Sequence, residues 1–337
     1  MSLNTINVEK KSSASLLDGK ATAEIIREEL KKEVEILMQN HQVRPGLGVI
    51  LVGDRADSAS YVRMKSKVAK QLGIAIADLK LNANVSEEEV LMAVDSMNRD
   101  PDIHGILVQL PLPDHMDANK VVARVAPQKD VDGFSAYNVG LLAMKGGQPL
   151  ARPCTPAGCV ELLRRYGVEL AGKHAVILGR SNIVGAPLAS MLVDCDATVT
   201  VCHSKTQQLS NFVAQADVLI AAVGKPLYVQ ADWLKPGCVV IDVGINAVDD
   251  DSTPKGYRLV GDVDFDKAIH VASLITPVPG GVGPMTIAML MDNVLNLTRN
   301  ALDLPPRGPL KYIPMATLQQ ERDDSTSQAT LPSSSDK

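Results

Sequence analysis

"HAVILGRSNIVGAPL", residues 174–188, is the stretch that decides the fold. Residues 175–178 form an apolar run typical of a buried strand, and residues 179–185 form a turn rich in small residues that leads into a helix. Such a turn exposes backbone N–H groups at the N-terminus of a helix, where a pyrophosphate is stabilised. Ser181 stands where a G-x-G-x-x-G motif has its middle glycine, so a plain tight turn is the alternative interpretation. We therefore predict a nucleotide-binding α/β unit here.

The next strand pattern, "ATVTVCH" at residues 197–203, indicates which nucleotide to expect. In an NAD-binding unit this strand ends in an acidic residue that binds the ribose 2′-hydroxyl. Here the chain continues with Ser204 and Lys205 and has no carboxylate. A hydroxyl, a lysine and the nearby Arg180 suit a 2′-phosphate, although both cations are also ordinary surface residues. The sequence favours NADP over NAD.

The alternation of strand and helix patterns occurs twice along the chain, which predicts an α/β protein of two domains. A chain of 337 residues, 45% of them hydrophobic, is long enough to bury both cores. A long helix with an apolar face at residues 285–304 is expected to return to the first domain and complete it. The predicted segments are an N-terminal extension at 1–14, a parallel α/β catalytic domain at 15–150, a Rossmann-type domain at 151–284, and a disordered tail at 305–337 that is poor in apolar residues.

Composition excludes several classes of function. The net charge of -5 and the 3% aromatic content argue against a nucleic-acid partner. No apolar run approaches the roughly 18 residues of a membrane span. The five cysteines form no C-x-x-C pair, and no metal-binding motif such as H-E-x-x-H is present, so we expect reduced thiols and no metal. The first fourteen residues contain no arginine and are a poor transit peptide, so a cytoplasmic location is expected.

The helix pattern that begins near Ser58, its predicted N-cap, and ends at Gly73 carries the first catalytic candidates. Tyr61 and Lys65 are four positions apart and therefore lie on one helix face, whereas Lys67 lies well round the helix. An isolated lysine is more often a solvated surface charge than a catalytic group. The spacing alone therefore leaves both interpretations open.

Two later stretches favour the catalytic interpretation. "GILVQLPLP" places Gln109 at the carboxyl end of a predicted parallel strand, where α/β folds bind ligands. "PQKDVDGF" places Asp130 and Asp132 in a loop, where Asp130 alternatively only bonds the loop backbone. The glycine- and proline-rich loop "TPVPGGVGPMT" at residues 276–286 allows the backbone to approach a ligand closely. A lysine positioned by a tyrosine and an amide is thus the best candidate acid/base group.

Taken together, these motifs resemble the bifunctional methylenetetrahydrofolate dehydrogenase/methenyltetrahydrofolate cyclohydrolase (FolD-like) family. The resemblance covers residues 16–302, nearly the whole chain apart from its two ends. The matching landmarks are "LDGK", "VGDRADSASYVRMKSK", "GILVQLPLP", "KDVDGF", "PCTPAG", "GRSNIVGAP", "CHSKT", "DVGIN" and "PGGVGPMT".

The resemblance implies a role for each matching residue. Lys65 matches the family's essential lysine, Gln109 the glutamine that tunes it, Tyr61 the tyrosine that orients substrate, and Asp132 the aspartate that binds the pteridine ring. Further implied substrate contacts are Pro279, Gly280 and Gly281. The implied NADP contacts are Thr155, Gly179, Arg180, Ser181, Val184, Gly185, His203, Ser204, Ile245 and Thr286.

The resemblance also implies the reaction and the assembly. NADP-dependent oxidation of 5,10-methylenetetrahydrofolate gives 5,10-methenyltetrahydrofolate, which is hydrolysed to 10-formyltetrahydrofolate with Lys65 transferring protons. Such an enzyme belongs to one-carbon metabolism, serves purine biosynthesis, and forms a homodimer through its nucleotide-binding domains. Another two-domain NADP-dependent dehydrogenase of the shikimate type, or a non-catalytic NADP-binding sensor, is the alternative.

Overall fold

The computed structural model of the protein describes residues 13–254 and 256–307. The predicted N-terminal extension therefore lies outside the described residues except for 13 and 14, and the predicted tail lies outside them except for 305–307. Within the described ranges, no helix is both long enough and apolar enough to cross a membrane.

The first part of the chain alternates short strands with helices. A single 3₁₀ turn, Pro127–Lys129, separates its last two helices. The elements are β1 (Ser15–Leu16), α1 (Gly19–His41), β2 (Gly46–Val52), α2 (Ala56–Leu72), β3 (Ala75–Leu81), α3 (Glu87–Arg99), β4 (Gly105–Val108), α4 (Ala118–Arg124) and α5 (Ala136–Ala143).

The second part of the chain repeats this alternation and ends in a long helix. The elements are α6 (Cys154–Arg165), β5 (His174–Leu178), α7 (Gly185–Asp194), β6 (Thr198–Cys202), α8 (Leu209–Val213), β7 (Val218–Ala221), β8 (Val239–Asp242), β9 (Asn246–Asp249), β10 (Tyr257–Val260), α9 (Phe265–Ala268), β11 (Leu274–Ile275) and α10 (Val282–Ala301).

Two parallel sheets organise the molecule. The first has the strand order β3-β2-β4, and the second has the order β1-β11-β8-β7-β5-β6. The strands β9 and β10 form a separate antiparallel pair. The two-domain α/β fold predicted from the sequence is confirmed. One strand pairing was not predicted. The strand β1 belongs to the first part of the chain, yet it pairs with β11 at the edge of the second sheet.

The helix α10 joins the two parts of the molecule. It begins at Val282, before the predicted start at residue 285, and packs against α1 and α6 as well as β2 and β4. A buried cation supports the same junction. Arg165 of α6 has no exposed side-chain surface and donates hydrogen bonds to Glu29 of α1 and to Glu161 of its own helix.

The helix α2 starts earlier than the sequence predicts. It begins at Ala56, with Arg55 as N-cap and no side-chain capping bond, so the prediction of Ser58 as N-cap is wrong. Ser58 is buried inside the first turn, where tertiary packing rather than capping sets its position. The predicted stop is confirmed, because Gly73 ends the helix with the left-handed φ of 87° that glycine tolerates.

Candidate active site

A cavity of about 390 Å³, here called the central cavity, lies between elements of the two parts. The first part contributes α2, the end of β4 and the loop after Asp130. The second part contributes the start of α6, the turn before α7 and the first turns of α10. The polar and cofactor-side residues that line it are Ser58, Tyr61, Lys65, Gln109, Asp132, Cys154, Thr155, Val184, Ile245 and Thr286.

Lys65 and Gln109 form the polar centre of the central cavity. Lys65 Nζ donates a hydrogen bond to Gln109 Oε1 over 3.1 Å. The Nε2 of Gln109 donates to the Leu110 carbonyl at 2.7 Å, which fixes the amide with its oxygen toward the lysine. Lys65 is half-buried and Lys67 is exposed, so Lys65 is not part of a uniformly solvated stripe. Tyr61, one turn before Lys65, lines the same cavity.

Asp132 is the acidic group of the central cavity. Burial raises the pKa of Asp132 to about 6, an effect that the positive charge of Lys65 opposes and the negative charge of Asp130 reinforces. Asp130 has a different task, as its carboxylate accepts hydrogen bonds from the backbone of Gly133 and Ser135 at 3.0 and 2.7 Å. Asp130 therefore shapes the loop, whereas Asp132 lines the central cavity.

The helix α10 holds the walls of the central cavity in place. Asn293 Nδ2 donates to the carbonyls of Val131 and Arg152 at 2.9 and 2.7 Å, so one side chain bonds the loop that carries Asp132 and the segment before α6. Near the start of the helix, the hydroxyls of Thr155 and Thr286 lie 3.1 Å apart within hydrogen-bond distance. These contacts connect the lining of the two parts of the molecule through one rigid element.

A second cavity of about 270 Å³, here called the turn cavity, lies at the carboxyl ends of β5, β6 and β7. Five of the predicted cofactor contacts line it: Gly179, Arg180, Ser181, His203 and Ser204. Lys205, which the sequence analysis also considered, is exposed and does not line this cavity. Two unpredicted residues after β7 do line it, Lys225 and Tyr228, with Lys225 Nζ 5.2 Å from the Tyr228 ring centre.

The turn between β5 and α7 requires glycine at both of its ends. A Cβ atom on Gly179, whose φ is 127°, would lie 2.3 Å from the Ala222 carbonyl oxygen. A Cβ atom on Gly185 would lie 2.1 Å from the Gly179 carbonyl oxygen. Gly185 lines neither cavity, so its contribution is to let the first turn of α7 pack directly on the turn. At this helix start the backbone N–H groups of Val184 and Ala186 both donate to the Ser181 carbonyl, which closes the turn.

Two buried carboxylates shape the loops between the cavities. Asp262 accepts hydrogen bonds from the successive backbone N–H groups of Val223, Gly224 and Lys225 at 2.7, 2.9 and 2.9 Å. Asp242 accepts from the backbone of Gly244 and of Asp262 itself. The chain segments after β7, β8 and β10 are thus bonded into one layer.

A third cavity of about 370 Å³, here called the loop cavity, adjoins the central cavity, and the two share Tyr61, Ile245 and Val282 among their lining residues. The predicted substrate contacts Pro279, Gly280 and Gly281 line it. So do two cations of α1 that the sequence analysis missed, Lys20 and Arg27. Among the described residues, Arg27 Nε is buried and has no hydrogen-bond partner.

The predicted residues therefore fall into three adjoining groups. The predicted catalytic group, Lys65, Tyr61, Gln109 and Asp132, lies in the central cavity together with four of the predicted cofactor contacts. The remaining cofactor contacts lie at the turn cavity except Gly185, and the backbone loop at 279–281 lies at the loop cavity. Among the described residues, no group of three or more His, Cys, Asp or Glu side chains is placed to hold a metal ion.

The fold and its cavities define a two-domain α/β protein with a Rossmann-type second domain and with a cavity around Lys65 between its two parts. Residues 17–132 match the model of the tetrahydrofolate dehydrogenase/cyclohydrolase catalytic domain, and residues 153–302 match the model of the NAD(P)-binding domain of the same family. The chain belongs to the tetrahydrofolate dehydrogenase/cyclohydrolase family.

Individual relatives agree with this assignment. The chain is 54% identical to the chloroplastic bifunctional protein FolD 4 of Arabidopsis thaliana over 87% of this chain and 82% of that protein. It is 45% identical to the bifunctional enzyme FolD of Campylobacter jejuni, with a TM-score of 0.80 over 86% of this chain and 99% of that one. It is 43% identical to the Trypanosoma brucei enzyme, solved with NADP and an inhibitor, with a TM-score of 0.83 over 86% and 99%.

These comparisons confirm the family, the two activities and the NADP-type cofactor that the sequence predicts. The alternative of a shikimate-type dehydrogenase is not favoured, since both domain models that match are those of the folate family. The roles of individual residues remain predictions.

Proposed function

We propose that the protein oxidises 5,10-methylenetetrahydrofolate with NADP+ and then hydrolyses the 5,10-methenyl product to 10-formyltetrahydrofolate in the same central cavity. The observation that carries the proposal is the hydrogen bond between Lys65 Nζ and Gln109 Oε1 in a cavity lined by both parts of the molecule. One site for both steps is favoured because the methenyl cation then meets the proton-transfer group without leaving.

The oxidation step depends on placement more than on acid/base chemistry. The hydride leaves the one-carbon bridge of the substrate for the nicotinamide ring, and the folate nitrogen lone pair stabilises the iminium that forms. No strong base is required, so orientation supplies much of the rate. We place the nicotinamide against Thr155, Val184 and Ile245, because these lie on the same cavity as Lys65 and border the nucleotide turn.

The hydrolysis step requires two proton transfers. The bond between water oxygen and the methenyl carbon forms as water loses a proton to the Lys65 amine. The bond from that carbon to N5 then breaks as this proton passes from Lys65 to N5, and the remaining hydroxyl proton is released to solvent as the formyl C=O forms. Gln109 Oε1 holds Nζ in position through the 3.1 Å bond, and Tyr61 on the same helix face orients the folate.

Substrate recognition uses charge on both sides of the lysine. The Asp132 carboxylate accepts hydrogen bonds from N–H groups of the pteridine ring, and these bonds are charge-assisted. At the other end of the substrate, the glutamate carboxylates face Lys20 and Arg27, because the loop cavity that these cations line adjoins the central cavity. Arg27 Nε, buried without a hydrogen-bond partner among the described residues, is available to such an anion.

A turnover assay tests the proposal. The protein is mixed with 5,10-methylenetetrahydrofolate and NADP+, and NADPH, the methenyl absorbance and 10-formyltetrahydrofolate are followed together. We expect NADPH and 10-formyltetrahydrofolate to accumulate in equal amounts. NADP+ binding without turnover would favour the non-catalytic sensor, and reduction of NADP+ by shikimate instead would favour the other dehydrogenase.

We further propose a homodimer formed through the second sheet. Among the described strands, β6 pairs with β5 alone and is therefore an edge of that sheet. Val201 within β6 and Val193 near the end of α7 are 37% and 59% exposed. An apolar strand edge is a typical site of pairing between copies. Sedimentation of the wild type should give a dimer, and Val201→Lys should give a monomer.

We also propose a cytoplasmic location and a supply of formyl groups to purine biosynthesis. All five cysteines are free thiols, as expected in a reducing compartment. One relative is named as chloroplastic, so imaging of a fusion at the C-terminus is the direct test. Accumulation in an organelle would contradict the proposed location.

A further inference from the structure

The turn cavity contains a second cation that faces the same space as Arg180. Arg180 follows β5 and Lys225 follows β7, the neighbouring strand, so the two cations enter the cavity from adjacent strand ends. Ser204, after β6, lines the cavity from the other neighbour of β5. The three side chains thus surround one site at the carboxyl edge of the sheet.

The backbone of Lys225 is held in place by Asp262. The Asp262 carboxylate has no exposed surface and binds three successive backbone N–H groups, the last of which belongs to Lys225. Asn246 Nδ2 donates to the same carboxylate at 2.9 Å. These four hydrogen bonds to one buried carboxylate fix the backbone of the loop. The Lys225 side chain is exposed and lies over the Tyr228 ring, so it can change rotamer.

The position of the cavity along the cofactor decides which phosphate Lys225 meets. The N-terminal turn of α7, with Val184, borders the central cavity, so the pyrophosphate belongs at that side. The turn cavity lies on the far side of the turn, at Ser204, where the adenosine half belongs. Apart from the 5′-phosphate that belongs to the pyrophosphate, the 2′-phosphate is the only phosphate of that half.

We propose that Lys225, on the loop fixed by Asp262, is a second cation for the 2′-phosphate of NADP and acts from the side opposite Ser204. This inference rests on the proposed use of NADP. The 2′-phosphate carries close to two negative charges. One cation compensates only about half of that charge, whereas Arg180 and Lys225 together neutralise it. Discrimination against NAD then depends on both cations.

Calorimetric titration with 2′,5′-ADP and with 5′-AMP tests the inference without turnover. The two probes share the adenosine and differ in the 2′-phosphate. Lys225→Gln should weaken 2′,5′-ADP binding about tenfold, roughly 1.4 kcal/mol, and change 5′-AMP binding less than about twofold. Lys225→Arg should retain most of the affinity because it retains the charge.

The controls separate the possible outcomes. Lys173→Gln removes the same charge just before β5, at the amino ends of the strands and so away from the turn cavity. It should change the affinity for neither probe. If the wild type bound both probes equally, the use of NADP itself would be wrong. If the wild type preferred 2′,5′-ADP and Lys225→Gln did not change that preference, or if Lys205→Gln abolished it instead, only the role of Lys225 would be wrong.

Discussion

Lys65 Nζ and Gln109 Oε1 lie 3.1 Å apart although 44 positions separate the two residues in the chain. One comes from the middle of α2 and the other from the first position after β4. Because Gln109 Nε2 is bonded to the Leu110 carbonyl, the amide cannot turn its oxygen away without losing that bond. The glutamine therefore acts as a fixed acceptor that orients the lysine amine.

Gln109→Met should remove that acceptor with little change of volume. We expect the cyclohydrolase kcat to fall on the order of 10- to 100-fold, since Lys65 loses its orientation, while the dehydrogenase activity falls less. Parallel steady-state assays of the two half-reactions, with methylene and methenyl substrates, check this. Equal losses in both would indicate a general structural role for Gln109.

Asp132→Asn should produce opposite effects on stability and on binding. Burial raises the pKa of Asp132 from 3.8 to about 6, so the folded state binds the carboxyl proton more tightly than the unfolded state does. The resulting contribution to the free energy of unfolding is fully present below about pH 4 and is lost as the pH rises through 6. At pH 8 the asparagine variant should therefore be more stable than the wild type by about 1–3 kcal/mol. Urea unfolding at several pH values measures the difference, which should shrink as the pH is lowered toward 5.

The same variant should bind folate more weakly. Loss of the carboxylate replaces a charge-assisted pairing by a neutral one, so the KM for methylenetetrahydrofolate should rise by about tenfold. A variant that was less stable than the wild type at pH 8, or that kept the wild-type KM, would contradict the assigned role of Asp132.

Arg180→Ala should weaken the binding of NADP+ by at least about tenfold and that of NAD+ by less than about twofold. The guanidinium lines the turn cavity and pairs with the 2′-phosphate, which NAD+ lacks. Dissociation constants from fluorescence titration provide the comparison. Equal losses for the two cofactors would mean that Arg180 does not contact the 2′-phosphate.

Arg165→Ala should destabilise the protein by about 3–5 kcal/mol. The change leaves Glu29 and Glu161 without their buried partner at the junction of α1 and α6. Arg124→Ala is the matched control, because it breaks a bidentate pair with Asp95 that is screened by solvent and should destabilise the protein far less. Denaturant unfolding of both variants measures the two losses in the free energy of unfolding. Similar losses would show that the burial of Arg165 is unimportant.

Local sequence patterns predicted a large part of the fold and of the site. The parallel alternation, the stop at Gly73 and the position of Gln109 after its strand all depend on short-range rules. The prediction of Ser58 as N-cap is wrong because α2 starts two residues earlier, at Ala56, after a residue that makes no side-chain capping bond and so leaves no signal in the sequence. The pairing of β1 with β11 could not be predicted, since it joins residues more than 250 positions apart.

The additional cations of the site were missed for a related reason. Lys225 lies in the loop after β7, four positions beyond its last residue, and that position after a buried strand was the available signal. Lys20 and Arg27 had no such signal, because α1 reaches the loop cavity through tertiary contacts, namely its packing on α10 and the hydrogen bond from the Lys20 backbone N–H to the Gly280 carbonyl. Sequence order places a residue on an element, and only the folded structure places that element beside a ligand.

The most direct test of the central claim is the cyclohydrolase rate of Lys65→Met beside that of Lys67→Met. Both variants remove a lysine from α2, but Lys67 is exposed and does not line the central cavity. We predict that Lys65→Met loses hydrolysis of methenyltetrahydrofolate while its dissociation constant for NADP+ stays at the wild-type value, and that Lys67→Met keeps both. Full retention of hydrolysis by Lys65→Met would contradict the assignment of Lys65 as the proton-transfer group.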